Sequence, residues 1–364
     1  MTINIKSFFD RILPLSLRAN PWFRSGLLAL VYLFFLILPT FKFPQNAFVI
    51  RVIGYTVLYI ILGLGLNIQI GFAGLLDLGY VAFYAIGAYT YALLASGQFD
   101  VHLSFWLVLP IAGIIAAVAG VLIGLPVLRM RGDYLAIVTL GFGEIVRILA
   151  TNLKKITQGS QGIIGIDSPI LYYPAFKATF PFFNGWGRLE LDSGTHFYYL
   201  LLIFLVLVLF VTNRLNHSRV GRAWIALRED EDVAQMMGIN TTFYKLLAFG
   251  VGAMIGGFGG AIFAAWQGSI FPDNFNLFVS INIICIIIIG GLGSIPGVVV
   301  GSLALITLPD VLRQFSDYRT ILFGLLLVIM MIARPEGFLP AQRGKMEKKK
   351  GEAVIVAETG EEGA

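Results

Sequence analysis

Apolar runs closed by short polar or glycine-rich intervals recur along nearly the whole of this 364-residue chain. They lie at roughly 26–38, 51–70, 75–96, 104–127, 134–152, 197–213, 243–267, 278–290, 297–312 and 319–333. A bilayer core about 30 Å thick takes about 20 apolar helical residues to cross. The pattern therefore predicts an all-α integral membrane protein with about ten transmembrane helices. The runs 278–290 and 297–312 are short, and Gly290–Gly297 (GGLGSIPG) divides them, so broken or re-entrant helices are expected there.

Charge places the ends of these runs. The intervals 127–133 (Arg129, Arg131) and 214–245, and the tail after Arg334 (Arg343, Lys345, Lys348–Lys350), are basic and are expected on the cytoplasmic side. The intervals 97–103 and 268–276 hold no Lys or Arg and are expected outside. Ten spans with both termini inside satisfy all of these. Residues 1–24 read as a cytoplasmic N-terminal segment. Residues 25–337 form the polytopic domain, and 338–364, rich in Glu, Lys, Gly and Ala, form a disordered cytoplasmic tail. Within the polytopic domain, 153–196 is a long outward loop with room for a small structured cap, and 214–242 is a cytoplasmic loop.

Composition agrees with the pattern. The chain is 57% hydrophobic and only 13% charged, with mean hydropathy +0.83, whereas soluble domains carry roughly 25% charged residues. Its single cysteine, Cys285, excludes an intramolecular disulfide. There is no G-x-x-x-x-G-K-[ST] phosphate loop, the three histidines share no ligand spacing, and no nucleophile–base set is evident. Catalysis and a metal site are not expected.

Three features carry candidate function. The first is Asn213–Ile239, where Arg214, Arg219, Arg222 and Arg228 precede the acidic block Glu229, Asp230, Glu231, Asp232. Val220, Trp224, Leu227, Val233, Ala234 and Met237 recur at helical spacing between a cap at Ser218 and a stop at Gly238. The spacing predicts one amphipathic helix, either a solvated loop element or a docking helix for a soluble partner. The second is glycine at every fourth position, Gly252/Gly256/Gly260 and Gly293/Gly297/Gly301, suited to close helix packing or to lining a pathway. The stretch Gly65–Tyr89, with Asn67, Gln69, Gly71, Gly74, Asp77 and Tyr80, poses the same alternatives. The third is Glu144 and Arg147, three apart on one helix face and able to pair.

These residues resemble the permease subunits of bacterial ABC importers, specifically the branched-chain amino acid permease family, over roughly Arg51–Gly337. The resemblance rests on GLNIQIGFAGLLDLGYVAFYAIGAY, RGDYLAIVTLGFGEIVRIL, and GRAWIALREDEDVAQMMGIN followed by GGFGGAIFA, with the TQGSQGI and IIIGGLGSIPG stretches. The family's E-A-A-x-x-x-G coupling loop is matched in spacing by Asp232-Val233-Ala234 and Gly238; TTFYKLL stands in place of the following I-x-L-P. Where many relatives have Ser and His, this chain has Asp77 and Tyr80. The resemblance implies a multi-pass protein of the bacterial inner membrane working with a second permease, two cytoplasmic ATPases and an extracytoplasmic binding protein. ATP is then bound by the partner subunits, and this chain carries no cofactor. Arg219, Arg222, Trp224, Glu229, Asp230, Asp232, Ala234 and Gly238 become coupling candidates. Asn67, Gly71, Gly74, Asp77, Tyr80, Glu144, Gly256, Gly260, Gly293 and Gly297 become pathway or packing candidates. The implied cargo is leucine, isoleucine or valine; other amino acids or urea, and a stand-alone ion-coupled carrier or channel, are the alternatives.

Overall fold

The computed structural model describes residues 47–99, 101–127, 133–174, 186–190, 194–307, 324, 328 and 337–339. The predicted run 26–38, most of 319–333, the N-terminal segment and nearly all of the tail lie outside the described residues. Among the described residues, six helices are long and apolar enough to cross a membrane, and two shorter apolar helices, Val81–Leu94 and Ile295–Thr307, accompany them.

Helix α1, Ala47–Asn67, runs without interruption into a π turn, Ile68–Phe72. An irregular turn leads to α2, Val81–Leu94, followed by α3, Phe105–Val127, and α4, Asp133–Asn152. After the one-turn helix α5, Lys154–Thr157, and a strand-bearing segment, α6 spans Gly194–Asn216. Two polar helices follow, α7 at Arg219–Glu229 and α8 at Glu231–Met236. Helix α9, Thr241–Gln267, is the longest. The last described pair is α10, Leu277–Gly290, and α11, Ile295–Ser302, which continues into a second π turn, Leu303–Thr307.

Helix α9 is the axis of the bundle. Asn240 Oδ1 caps its start by accepting from Phe243 N at 3.0 Å, and Gly268 ends it. Its small residues let three helices approach: Gly260 lies on the α2 backbone at Tyr84 and Ala88, Gly257 on α3 at Ala112 and Ala116, and Gly259 on Leu62 of α1. In the most apolar windows of α1 and α9, 67% of residues are buried, against 28% in α4. The outer faces of α3, α4 and α6, with Leu122, Ile137 and Phe210 exposed, are thus the surfaces left for lipid or a second subunit.

One end of the bundle carries short antiparallel strands. β1 (Ala95–Ser96) pairs with β2 (Val101–His102), and β3 (Ile163–Ile164) pairs with a strand at Ser269–Ile270. Ile170–Pro174 pairs with Trp186–Glu190. Tyr91 Oη donates to Asp167 O at 2.8 Å, and His102 Nδ1 lies 2.6 Å from Asp167 Oδ2, tying this cap to the top of α2. Within the interval 153–196 the described residues carry the strands Ile163–Ile164, Ile170–Pro174 and Trp186–Glu190.

At the other end, two broken turns face each other. The turn before α2 has no helical partners for its amides, and side chains supply them: Gly79 N donates to Asp77 Oδ1 of the turn itself (2.8 Å), Leu78 N to Thr139 Oγ1 of α4 (3.0 Å) and Val81 N to Ser280 Oγ of α10 (3.0 Å). The chain breaks again at Gly291–Ser294. There α10 and α11 fold into a hairpin so close that Gly290 and Gly297 meet backbone to backbone. Residues 337–339 return to this hairpin, with Phe338 N donating to Ile289 O (2.7 Å) and Leu339 N to Gly290 O (3.0 Å).

Candidate coupling and pathway site

The expected single helix over 219–238 is two helices. Ser218 caps the first as predicted, its Oγ accepting from Gly221 N at 3.2 Å. Asp230, expected as a charge on the helix surface, instead takes extended backbone (φ −156°, ψ 117°). Its Oδ1 accepts from Asp232 N (2.9 Å) and Val233 N (3.0 Å). A short acceptor two and three residues ahead of free amides competes with helix continuation, so the four-acid block breaks the helix at Asp230 and starts α8. Glu231 and Asp232 occupy the first turn of α8, where negative charge is favoured. Gly238, with φ +83°, follows the helix and ends it as expected.

The predicted apolar seam splits: Trp224, Leu227 and Ala234 turn inward, while Val233 and Met237 stay exposed. Trp224 is wholly buried and donates from Nε1 to Tyr244 O at 2.8 Å, while Leu227 is buried beside it. These side chains pack α7 onto the membrane bundle rather than into a soluble partner's groove. Ala234 is buried too. Lys245, almost completely buried, pairs through Nζ with Glu231 Oε1 at 2.5 Å and pins α8 to α9. The free face holds Val233, Met236 and Met237, exposed at 54%, 85% and 78%, with Phe243 nearby in sequence and 55% exposed. Arg219, Arg222, Glu229, Asp230 and Asp232 are all exposed. The periodicity was legible; which side of it met the protein depended on α9.

Asn67 and Gly71, with Gly74 just beyond them, meet Gly293, far away in sequence, at the broken turns. Asn67 Oδ1 accepts from Gly293 N at 3.0 Å. Gly74 (φ +73°) and Gly293 (φ +76°) take the left-handed conformation that glycine adopts without strain. Arg228, which the sequence presents only as one more basic residue of a polar stretch, lies beside Gly71, Gly74 and Gly293. Its Nη1 donates to Gly71 O at 2.5 Å. A lone cation in the last turn of a polar helix carries no signal that its end reaches these turns, and Arg228 does so while remaining exposed overall.

Next to this junction runs a buried polar strip between α1, α2 and α9. Gln69 Nε2 donates to Phe249 O (3.4 Å) and Tyr80 Oη to Gly252 O (3.1 Å), with Gly256 against the Tyr80 ring. Asn67 Nδ2 and Gln69 Oε1 have no partner here. Gly256 and Gly260 therefore serve packing between α9 and α2, and Gly297 packs against Gly290 within the α10–α11 hairpin. Asp77 is buried and engaged elsewhere, as a turn cap against α4, with Oδ2 unpartnered. Glu144 and Arg147 do pair, Nε to Oε2 at 2.9 Å, near the strand-bearing end where Arg147 Nη1 also lies 3.6 Å from Asp273. Both are about one-third exposed, so the pair belongs to that end rather than to the polar strip. Among the described residues no group of His, Cys, Asp or Glu could hold a metal ion.

Comparison with known proteins places this architecture. The family model described as "Branched-chain amino acid transport system / permease component" matches residues 48–334. The high-affinity branched-chain amino acid transport system permease protein LivM of Salmonella typhimurium is 46% identical over 306 residues, which cover 82% of this chain and 71% of that protein. LivM of Escherichia coli gives the same identity and coverage. The permease protein LivH of Salmonella typhimurium is 25% identical over 294 residues, 77% of this chain and 91% of that protein. No solved structure matches.

Proposed function

Because this chain belongs to the permease component family of branched-chain amino acid transport systems, we propose that it is the membrane subunit of an ATP-driven importer of leucine, isoleucine and valine. It forms the translocation pathway with a second permease, takes cargo from an extracytoplasmic binding protein, and is driven by two cytoplasmic ATPases that alone bind ATP. The α7–α8 end is cytoplasmic, and the strand-bearing end receives the binding protein. The likeness to both LivM and LivH supports a pair of related permeases.

In this reading the chain crosses the inner membrane ten times with both termini inside. Described segments α1, α2, α3, α4, α6, α9, α10 and α11 supply eight passes, and the runs 26–38 and 319–333 supply the first and last. Helix α2, at 14 residues about 21 Å long at 1.5 Å per residue, and the segment Ile295–Thr307 are the two short apolar helices among the described residues, so neither spans the hydrocarbon alone. The turns at 73–80 and 291–294 are the re-entrant elements, kept in the bilayer because neighbouring side chains satisfy their amides.

One observation supports coupling most directly. The polar segment buries Trp224 and Leu227 against its own bundle yet leaves Val233, Met236 and Met237 exposed beside a charged rim. Apolar residues exposed on a cytoplasmic helix flanked by acids fit a partner that offers an apolar groove with basic edges. The ATPase is that partner. Replacing Met236 and Met237 together by Glu should leave the permease inserted while reducing ATPase co-purification by about tenfold or more, the scale of losing two interface anchors. Undiminished co-purification with full uptake would refute the assignment.

A further inference from the structure

Arg228 touches more of the broken-turn junction than any candidate singled out from the sequence. Its guanidinium donates to Gly71 O, in the π turn that ends α1. That carbonyl lies at a helix terminus, where the closing amides are used elsewhere: Ala73 N donates to Ile68 O and Leu75 N to Gln69 O. A cationic donor suits such a terminus through both the free carbonyl and the helix dipole. The stem of Arg228 fills the space beside Gly74, where a Cβ would meet its Cγ at 2.9 Å and its Cα at 3.2 Å. Its Nη1 lies 3.2 Å from where a Cβ on Gly293 would stand, and Gly71 O lies 3.0 Å from the same point. Gly293 in turn is held by Asn67 Oδ1. One side chain of the cytoplasmic helix thus sits against both broken turns, which also hold each other.

One further contact makes α7 a stiff handle for that side chain, and one exposed surface lets it be moved. Trp224, one turn before Arg228, is buried and hydrogen-bonded to Tyr244 O at the start of α9. The outer face of α8, one residue beyond the Asp230 break, is the exposed Val233/Met236/Met237 surface. Movement imposed on that surface reaches Arg228 through a short, capped connection.

We propose that Arg228 is a positioning residue that latches the coupling helix to the 68–75 and 290–294 turns, so that both move together when α7 is displaced. The transport consequence rests on the importer reading given above; the latch itself does not. Two measurements separate them. In the isolated permease, Arg228→Ala should increase hydrogen exchange in both 68–75 and 290–294 by about tenfold, the scale of losing one charge-assisted hydrogen bond, with α9 unchanged. Arg228→Lys, which keeps a charged donor without the fork, should recover part of that protection. In the complex with its ATPases and binding protein in liposomes, Arg228→Ala should keep assembly and ATP hydrolysis while amino acid uptake per ATP falls, again partly restored by Lys. Exchange that rises in only one turn, or nowhere, overturns the latch. So does uptake that falls only in proportion to assembly, the mark of a merely structural residue, or an unchanged ratio of uptake to hydrolysis. Absence of ATP-driven uptake by the wild-type complex would instead sink the importer reading, and the exchange result would still decide the latch.

Discussion

Gly260→Ala is the sharpest perturbation the packing allows, because the atoms in its way are backbone. A Cβ at Gly260 would overlap Tyr84 O and stand 2.7 Å from Ala88 N and 3.0 Å from Tyr84 C, all within α2. Ordinary carbon contacts lie at about 3.5–4.0 Å, so α2 and α9 must part by roughly 1 Å over at least one turn. Overpacking of this kind costs about 1–3 kcal/mol, and a contact that no rotamer change can relieve sits at the upper end. Alanine in a helix returns up to about 1 kcal/mol relative to glycine, leaving a net loss of about 2 kcal/mol. Separation also strains the Tyr80 Oη–Gly252 O hydrogen bond on the same interface. Gly256→Ala meets only the Tyr80 ring at 3.2 Å and Phe83 Cβ at 3.3 Å, side-chain atoms that yield by tenths of an ångström. Gly141 in α4 has nothing within 4 Å of an added Cβ and serves as the control. Unfolding midpoints of the three variants in one detergent should rank Gly260→Ala lowest, Gly256→Ala between it and wild type, and Gly141→Ala at or above wild type. A Gly260→Ala protein as stable as Gly141→Ala would refute the close approach of α2 and α9.

Trp224→Ala removes the side chain that seats α7 on the bundle together with its bond to Tyr244 O. A loss of about 3–5 kcal/mol is expected, seen as early protease cleavage within 214–240 while α9 stays intact. In a Cys285→Ser background, a cysteine at Ile164, 70% exposed, should react with an impermeant thiol reagent in intact cells, whereas one at Met236 should react only after permeabilisation. Reaction at Met236 from outside would overturn the ten-pass topology.

Hydropathy alone determined that this is a helical membrane protein and where most of its long helices run, because helix length and apolar content are local properties set by bilayer thickness. Local chemistry also marked the Ser218 cap, the stop at Gly238 and the break between Gly290 and Ile295. The Glu144–Arg147 pair was legible for the same reason, since residues three apart on a helix must meet. The Asp230 break was written in the sequence as well, but four consecutive acids read as surface charge until one of them is seen to cap. What only the tertiary structure decided is which side of α7 is inside. Periodicity gives a seam without saying whether it packs on the same chain or on a partner; Tyr244 O, Lys245 and the start of α9 settle it by burying Trp224 and leaving the two methionines out. The junction of Arg228 with Gly71, Gly74 and Gly293 lay equally beyond the sequence. Its hydrogen bonds join residues 157 and 226 positions apart, a pairing that arises when two interrupted helices must find partners for their open amides and carbonyls.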